Sequence, residues 1–138
     1  AFKLYIAARS NLLDDDGNIV FNHAWLRLCR RIVRDHQFRG SDAAFTLKMW
    51  ANVRRGEKLY ISPYKENANL RFDSSLAFEY AVLKPYVVPL LEKIPKGKYD
   101  FVDEMLENYK LIEEMDSSLV AENSLSREFI GGSSYASH

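Results

Sequence analysis

The alternation of apolar and polar positions predicts two short strands in a chain that is otherwise patterned for helices. Residues 2–8 (FKLYIAA) alternate and are rich in strand-forming side chains, and residues 69–73 (NLRFD) are a second candidate strand. Helical segments separate the two, so we expect a helix-dominated α/β fold with about two short parallel strands and roughly four to five helices. Because no hairpin partner is apparent after residues 2–8, we expect further strands of this sheet upstream of residue 1.

The first predicted helix spans residues 22–38. Asn22 is a suitable N-cap because its side chain can accept from a first-turn N–H, and Gly40 can end the helix. At 100° per residue, four arginines fall within a sector about 100° wide, and they are Arg27, Arg30, Arg31 and Arg34. Apolar residues occupy another face. The helix therefore offers one side to a core and a row of guanidinium groups to an anion.

A second helix is predicted over residues 42–53, with Ser41 as its cap. Its apolar face is expected to consist of Phe45, Met49, Trp50 and Val53. A basic turn at residues 54–56 should end this helix, and residues 60–64 are predicted to be irregular or extended.

Two more helices are predicted in the second half of the chain. Residues 76–94 are apolar, and Pro85 and Pro89 within them predict a kink or two short helices. Residues 100–113 form an amphipathic helix, with helical spacing of the apolar residues Phe101, Met105, Tyr109 and Ile112. The Ser-rich residues 117–138 are weakly patterned, and we expect a flexible tail.

Length and composition indicate a single cytoplasmic unit covering residues 1–138. The chain has 138 residues, 47% of them hydrophobic, which is enough for one domain with a core. It has no apolar run near the ~18 residues that a membrane span needs, and no signal-peptide pattern. Cys29 is the only cysteine, so an internal disulfide is excluded and a reducing compartment is indicated.

Charge is segregated along a chain whose formal net charge is zero. Residues 27–58 contain nine Lys and Arg against three Asp and Glu, whereas residues 100–128 contain nine acids against two bases. A protein that coats nucleic acid is usually basic overall. The pattern therefore favours a local site for a small anionic ligand over binding to a polymer.

Guanidinium groups suit phosphate because they donate paired, charge-assisted hydrogen bonds. The arginine row could equally be a solvated helix face, and composition alone leaves both interpretations open. Arg54 and Arg55 could be a second phosphate contact or cations favoured at a helix C-terminus.

Motifs for other chemistry are missing from the sequence. It contains no GxxxxGK[ST] loop, no HExxH, and no nucleophile with a credible partner for His23 or His36. The acidic turn at residues 13–18 fails as a calcium loop because Ile19 stands where the loop glycine belongs. We therefore expect no metal site in this chain.

Several motifs, in register along nearly the whole chain, resemble one known family. They are RLCRRIVRDHQFRG at 27–40, WANVRRGE at 50–57, FDSSLAFEYAVLKPY at 72–86 and SLSREFIGGS at 124–133. They are similar to the C-terminal part of bacterial uridine kinase-like proteins, in the phosphoribulokinase/uridine kinase family of P-loop kinases. So many long motifs are more specific than any one of them.

The resemblance implies an ATP- and Mg²⁺-dependent kinase that phosphorylates the 5′-hydroxyl of a nucleoside such as uridine. It implies that Arg31 lies beside the nucleoside and its acceptor hydroxyl, whereas Arg34 and Arg39 face the ATP phosphates. Arg54 and Arg55 match the VRRGE motif, and for them the resemblance implies only an anion contact.

Residues 22–58 would be the lid of such a kinase. Ser41 and the HAW at residues 23–25 replace a further arginine and the Thr-Thr-Asp usual in the family, so the acceptor is left open. The Walker A loop, the magnesium ligands and the catalytic aspartate would lie upstream of residue 1. We therefore expect this chain alone neither to bind ATP tightly nor to catalyse phosphoryl transfer.

Two other hypotheses remain. The basic helix could be a module that holds nucleic-acid backbone, although the acidic second half counts against this. The chain could also form a homo-oligomer through apolar surface.

Overall fold

The two predicted strands pair with each other in the computed structural model, which describes residues 3–73 and 78–134. Strand β1 (Leu4–Ala7) runs parallel to β4 (Leu70–Asp73), with Leu4 opposite Leu70 and Ala7 opposite Asp73. The helix-dominated α/β class and the short parallel sheet are thus confirmed.

A small hairpin that the pattern did not predict lies between β1 and the first helix. Strands β2 (Leu12–Leu13) and β3 (Ile19–Phe21) pair antiparallel across the acidic turn. The Asp14 carboxylate holds this turn, because it accepts the Asn18 N–H at 2.8 Å. Strands of two and three residues are too short to show an alternation.

Helix α1 (His23–Arg39) begins and ends one residue later than predicted, and it has the predicted caps. The Asn22 side chain accepts the Trp25 N–H at 3.1 Å, and Gly40 adopts the left-handed conformation at φ 63°. The Gly40 N–H donates to the Asp35 carbonyl, which closes the last turn.

The predicted limits of the second helix are wrong, and its predicted apolar face is wrong for Phe45 and Met49, whereas Trp50 packs against the core as predicted. Helix α2 spans Ala43–Gly56, and its N-cap is Asp42, whose carboxylate accepts the Phe45 N–H at 2.9 Å. Phe45 and Met49 are 55% and 40% exposed. The buried residues of α2 are Ala43, Thr46 and Leu47. The helix packs on α1 through this smaller set, which turns the two large side chains outward.

Helical structure continues where a turn and an extended segment were predicted. A π-helical turn (Glu57–Ile61) follows α2 directly, and a 3₁₀ segment (Ser62–Asn67) follows that turn. The predictions of a turn at 54–56 and of irregular or extended structure at 60–64 are therefore wrong. Pro63 stands at the start of the 3₁₀ segment, a position that does not need its N–H.

Both prolines of the second half lie inside one continuous helix, α3 (Glu79–Glu92), so the division into two helices is wrong. Residues 76–77 of the predicted segment lie outside the described residues. Pro85 has no N–H to give the Ala81 carbonyl, and this carbonyl accepts the Met115 N–H at 3.1 Å instead. The tertiary contact satisfies the acceptor that proline leaves free.

The C-terminal part packs on the helices as far as Ser134, where we expected a flexible tail. Helix α4 (Asp100–Tyr109) is shorter than predicted, and a 3₁₀ turn (Ser117–Leu119) and the short α5 (Arg127–Ile130) follow it. The Arg127 guanidinium donates to the Ser117 carbonyl at 2.5 Å and to the Val120 carbonyl at 2.8 Å. Residues 135–138 lie outside the described residues.

Aromatic rings form the centre of the core. The Phe21 ring lies 4.7 Å from those of Tyr80 and Tyr109 and 5.7 Å from Trp25, measured between centroids. These contacts join the hairpin to α1, α3 and α4. Within the described residues, no helix combines the length and apolar character needed to cross a lipid bilayer.

Candidate anion-binding site

An open cavity of about 850 Å³ lies along β1 and extends past its carboxyl end. The start of α1, the end of α2 and the π-helical turn form its other walls. Its cationic lining residues are Arg9, Arg27, Arg54, Arg55, Lys58 and Lys65. In α/β proteins the carboxyl ends of parallel strands are a common place for ligands. We call this space the basic cavity.

Glu57 is the single carboxylate among the described residues that line the basic cavity. It forms an ion pair with Arg27 of α1, and its Oε2 lies 3.4 Å from Arg54 Nη1 of α2. The remaining cations of the cavity give it a strongly positive balance. Burial lowers the pKa of Arg27, and the charge of Arg54 lowers it further. Both effects destabilise the charged guanidinium of Arg27, so an anion bound beside it would stabilise that charge.

His23 lines the same cavity at the first residue of α1. Its backbone N–H donates to Asn11 Oδ1 at 2.9 Å, and its Nδ1 lies 3.2 Å from the same oxygen. Burial lowers the pKa of His23 below its usual 6.5, and Arg27 and Arg54 lower it further. The imidazole is therefore neutral at neutral pH.

A second group of arginines surrounds Asp35 towards the end of α1, and we call it the Asp35 cluster. Arg34 Nη2 lies 3.2 Å and Arg39 Nη1 lies 3.5 Å from Asp35 Oδ1. Thr46 of α2 donates its hydroxyl to Asp35 Oδ2 at 3.2 Å. Burial lowers the pKa of Arg31, and the nearby charges of Arg34 and Arg39 lower it as well. Two guanidinium groups thus pair with one carboxylate, and the charge of Asp35 also acts on the nearby Arg31.

Arg30 does not belong to the exposed row that the helical spacing predicted. Its side chain is 8% exposed and forms a bidentate ion pair with Glu79 of α3. Ser126 donates to Glu79 Oε1 at 3.1 Å, and the Phe129 ring lies 5.2 Å from the Arg30 guanidinium carbon. This arginine is part of the core, where it joins α1 to α3 and α5.

The structure divides the site residues predicted from the sequence into two places. Arg54 and Arg55 line the basic cavity, whereas Arg31, Arg34 and Arg39 are in the Asp35 cluster. Arg27 connects the two, because the charges of both Arg54 and Arg31 act on it.

Sequence reasoning missed other members of the basic cavity, namely Arg9, His23, Glu57, Lys58 and Lys65. Arg9 could have been found, because it directly follows a predicted parallel strand. Lys58 and Lys65 reach the cavity through the π-helical and 3₁₀ segments, where the sequence pattern did not indicate helical structure.

The chemistry that both groups offer is positive charge and hydrogen-bond donation to an anion. Among the residues described in the structure, no group of three or more His, Cys, Asp or Glu side chains is arranged to hold a metal ion. Comparisons with protein-family models, with curated proteins and with solved structures found no match.

Proposed function

We propose that the chain is the lid-bearing part of an ATP-dependent, uridine kinase-like phosphotransferase with a P-loop kinase fold, acting in the cytoplasm on the 5′-hydroxyl of a nucleoside. The observation that carries the proposal is the basic cavity beside β1, connected along α1 to the Asp35 cluster. The motif resemblance suggests the reaction, and the cationic lining of the cavity supports a site for an anion such as phosphate.

The charge balance supports phosphate as the ligand. Phosphoryl transfer depends on stabilising charge spread over phosphate oxygens, and arginine donors held in place supply that stabilisation. In the Asp35 cluster, one carboxylate pairs with both Arg34 and Arg39 and lies near the charge of Arg31. Donor capacity is therefore left over for an incoming anion.

The exposed sheet also supports the proposal. Leu4, Ile6 and Leu70 of the parallel pair are exposed. Parallel sheets are normally covered on both faces. A larger α/β sheet of the kinase type would cover these apolar side chains.

In the proposed reaction, Arg31 contacts the acceptor nucleoside, and Arg34 and Arg39 contact the ATP phosphates. Arg54 and Arg55 contribute anion contacts from the basic cavity. ATP with Mg²⁺ supplies the phosphoryl group, and the residues of this chain bind and orient it and neutralise its charge.

The test is γ-phosphoryl transfer from ATP to uridine and other nucleosides, measured on the protein expressed from the complete reading frame. Arg31→Ala or Arg34→Ala should lower kcat by about 100-fold or more, the usual effect of removing one charge-stabilising donor. Lys110→Ala is the control, because Lys110 is an exposed cation paired with Glu107 on α4. The proposal is wrong if no nucleoside is phosphorylated, or if both arginine variants keep full activity.

Binding to nucleic-acid backbone remains a second candidate, favoured by the basic side chains that follow α1 from Arg27 to Arg39, over about 18 Å of helix. Affinity for single-stranded RNA or DNA should then fall steeply with salt, in proportion to the phosphates neutralised. No gel shift at low salt would exclude this candidate.

A further inference from the structure

Glu57 occupies an unusual position for an acid, because it bridges two cationic groups inside the basic cavity. Its Oε1 pairs with Arg27 Nη2, and its Oε2 pairs with Arg54 Nη1. The two guanidinium groups come from different helices, α1 and α2. The Glu57 side chain is 17% exposed and that of Arg54 is 46% exposed, so the bridge is shielded at Glu57 and open to water at Arg54.

The bridge resembles the way in which a phosphate group is held between two arginines. Each oxygen of the carboxylate takes one guanidinium group, and two oxygens of a phosphate can do the same. The space beside this bridge is large, since the cavity measures about 850 Å³. A phosphate group entering it meets Arg27 and Arg54 already oriented towards one anion.

The attachment of Glu57 differs from that of Asp35. Asp35 lies inside α1 and accepts a hydrogen bond from Thr46 as well as its arginine contacts. Glu57 begins the π-helical turn, and within the described residues its carboxylate is held only by Arg27 and Arg54. Its side chain can therefore leave without breaking any other hydrogen bond of that carboxylate.

We propose that Glu57 is a displaceable counter-ion of the basic cavity, and that a phosphate dianion or pyrophosphate binds between Arg27 and Arg54 in its place. This inference rests on the proposed function, because it concerns the same anion site. Glu57 offsets one of the two arginine charges while the cavity is empty. Glu57 also sets a minimum charge for the ligand. A monovalent anion only equals the charge of the carboxylate that it displaces, whereas a dianion exceeds it.

The test is calorimetric titration of the whole chain with inorganic pyrophosphate, comparing the original protein with Glu57→Gln. The glutamine keeps the side-chain length but removes the competing charge. We expect it to tighten binding about tenfold, the effect of removing one charged hydrogen-bonded competitor. Glu57→Ala is a second variant that should also tighten binding, and thermal melting shows whether each variant is folded.

Two further variants make the result specific. Glu107→Gln makes the same charge change at an exposed pair with Lys110, and it should leave affinity within about twofold of the original value. Arg54→Gln combined with Glu57→Gln should reverse the tightening, because it removes half of the phosphate clamp.

The outcomes separate this inference from the kinase proposal. If the original protein binds pyrophosphate, and folded Glu57→Gln and Glu57→Ala bind it with the same or lower affinity, the role proposed for Glu57 is wrong. The kinase proposal then still stands. Tightening by both variants supports the inference, even if the transfer assay finds no kinase activity. A lack of pyrophosphate binding by every variant at millimolar concentration overturns the inference and removes the cavity from the kinase proposal.

Discussion

Arg30 and Glu79 form a buried ion pair that connects the arginine-bearing helix to the core. Glu79 is fully buried, and it also accepts a hydrogen bond from Ser126 of the segment before α5. The pair takes one arginine out of the row on α1 and uses it to fix that helix against α3. The neighbouring arginines are therefore presented from a helix whose position is set by an internal charge contact.

Removing one partner of this pair should be strongly destabilising. Glu79→Gln removes the buried charge that pairs with the Arg30 guanidinium, and we expect a loss of about 3–5 kcal/mol in the free energy of unfolding. Arg30→Met combined with Glu79→Leu should recover much of that loss, because no uncompensated charge stays buried. Urea denaturation of the single and double variants measures both values. A loss below about 1 kcal/mol for Glu79→Gln would contradict the buried pair.

Local signals were enough to predict some features and not others. The limits of α1 followed from Asn22 and Gly40, because caps act through hydrogen bonds within a few residues. The outward rotation of Phe45 and Met49 could not be predicted in the same way. It depends on which face of α2 meets α1, and the hydrogen bond from Thr46 to Asp35 helps to fix that face.

The candidate site shows the same division between local and tertiary information. Helical spacing correctly grouped Arg31 with Arg34, which both lie in the Asp35 cluster. It also placed Arg27 in the same row, although Arg27 pairs with Glu57 in the basic cavity. The basic cavity combines β1, α1 and the residues after α2, and its composition depends on how these elements pack. Arg30 was placed on the wrong face because only a tertiary partner, Glu79, decides that an arginine is buried.

The capping of α2 provides a direct test of one such local correction. Asp42→Ala should lower the free energy of unfolding by about 1 kcal/mol, because it removes the acceptor of the Phe45 N–H. Ser41→Ala is the matched control, and we expect it to change stability by less than about 0.5 kcal/mol. Chemical denaturation compares the two. Equal effects would mean that Asp42 is not the functional cap.

Arg31 should contribute to anion binding at a cost in stability. Burial and the charges of Arg34 and Arg39 disfavour its charged form, as the lowered pKa of Arg31 shows. Arg31→Met keeps the apolar stem and removes the charge, so it should raise the free energy of unfolding slightly, because solvent screens part of the repulsion and Asp35 opposes it. The same variant should lose phosphoryl transfer. Thermal melting at low ionic strength gives the stability change, and a clear fall in melting temperature would show that Arg31 is structural.

His23 should make the protein less stable as the solution becomes mildly acidic. Its pKa in the folded state is below the 6.5 of the unfolded chain, because burial, Arg27 and Arg54 outweigh the opposing charge of Asp73. The unfolded chain therefore binds more protons between the two pKa values, and stability falls as the pH drops below 6.5. His23→Gln keeps a donor for Asn11 and should abolish this part of the pH dependence.

The control for His23 is His36, an exposed histidine on the same helix, and His36→Gln should leave the acid-side loss in place. Urea denaturation at a series of pH values above and below 6.5 gives the slopes for both variants. Proton NMR of the His23 ring adds a second measurement, because pyrophosphate bound in the basic cavity offsets the charges of Arg27 and Arg54. The pKa of His23 should therefore rise when pyrophosphate is added, and an unchanged titration curve at saturation would place the bound anion away from this end of α1.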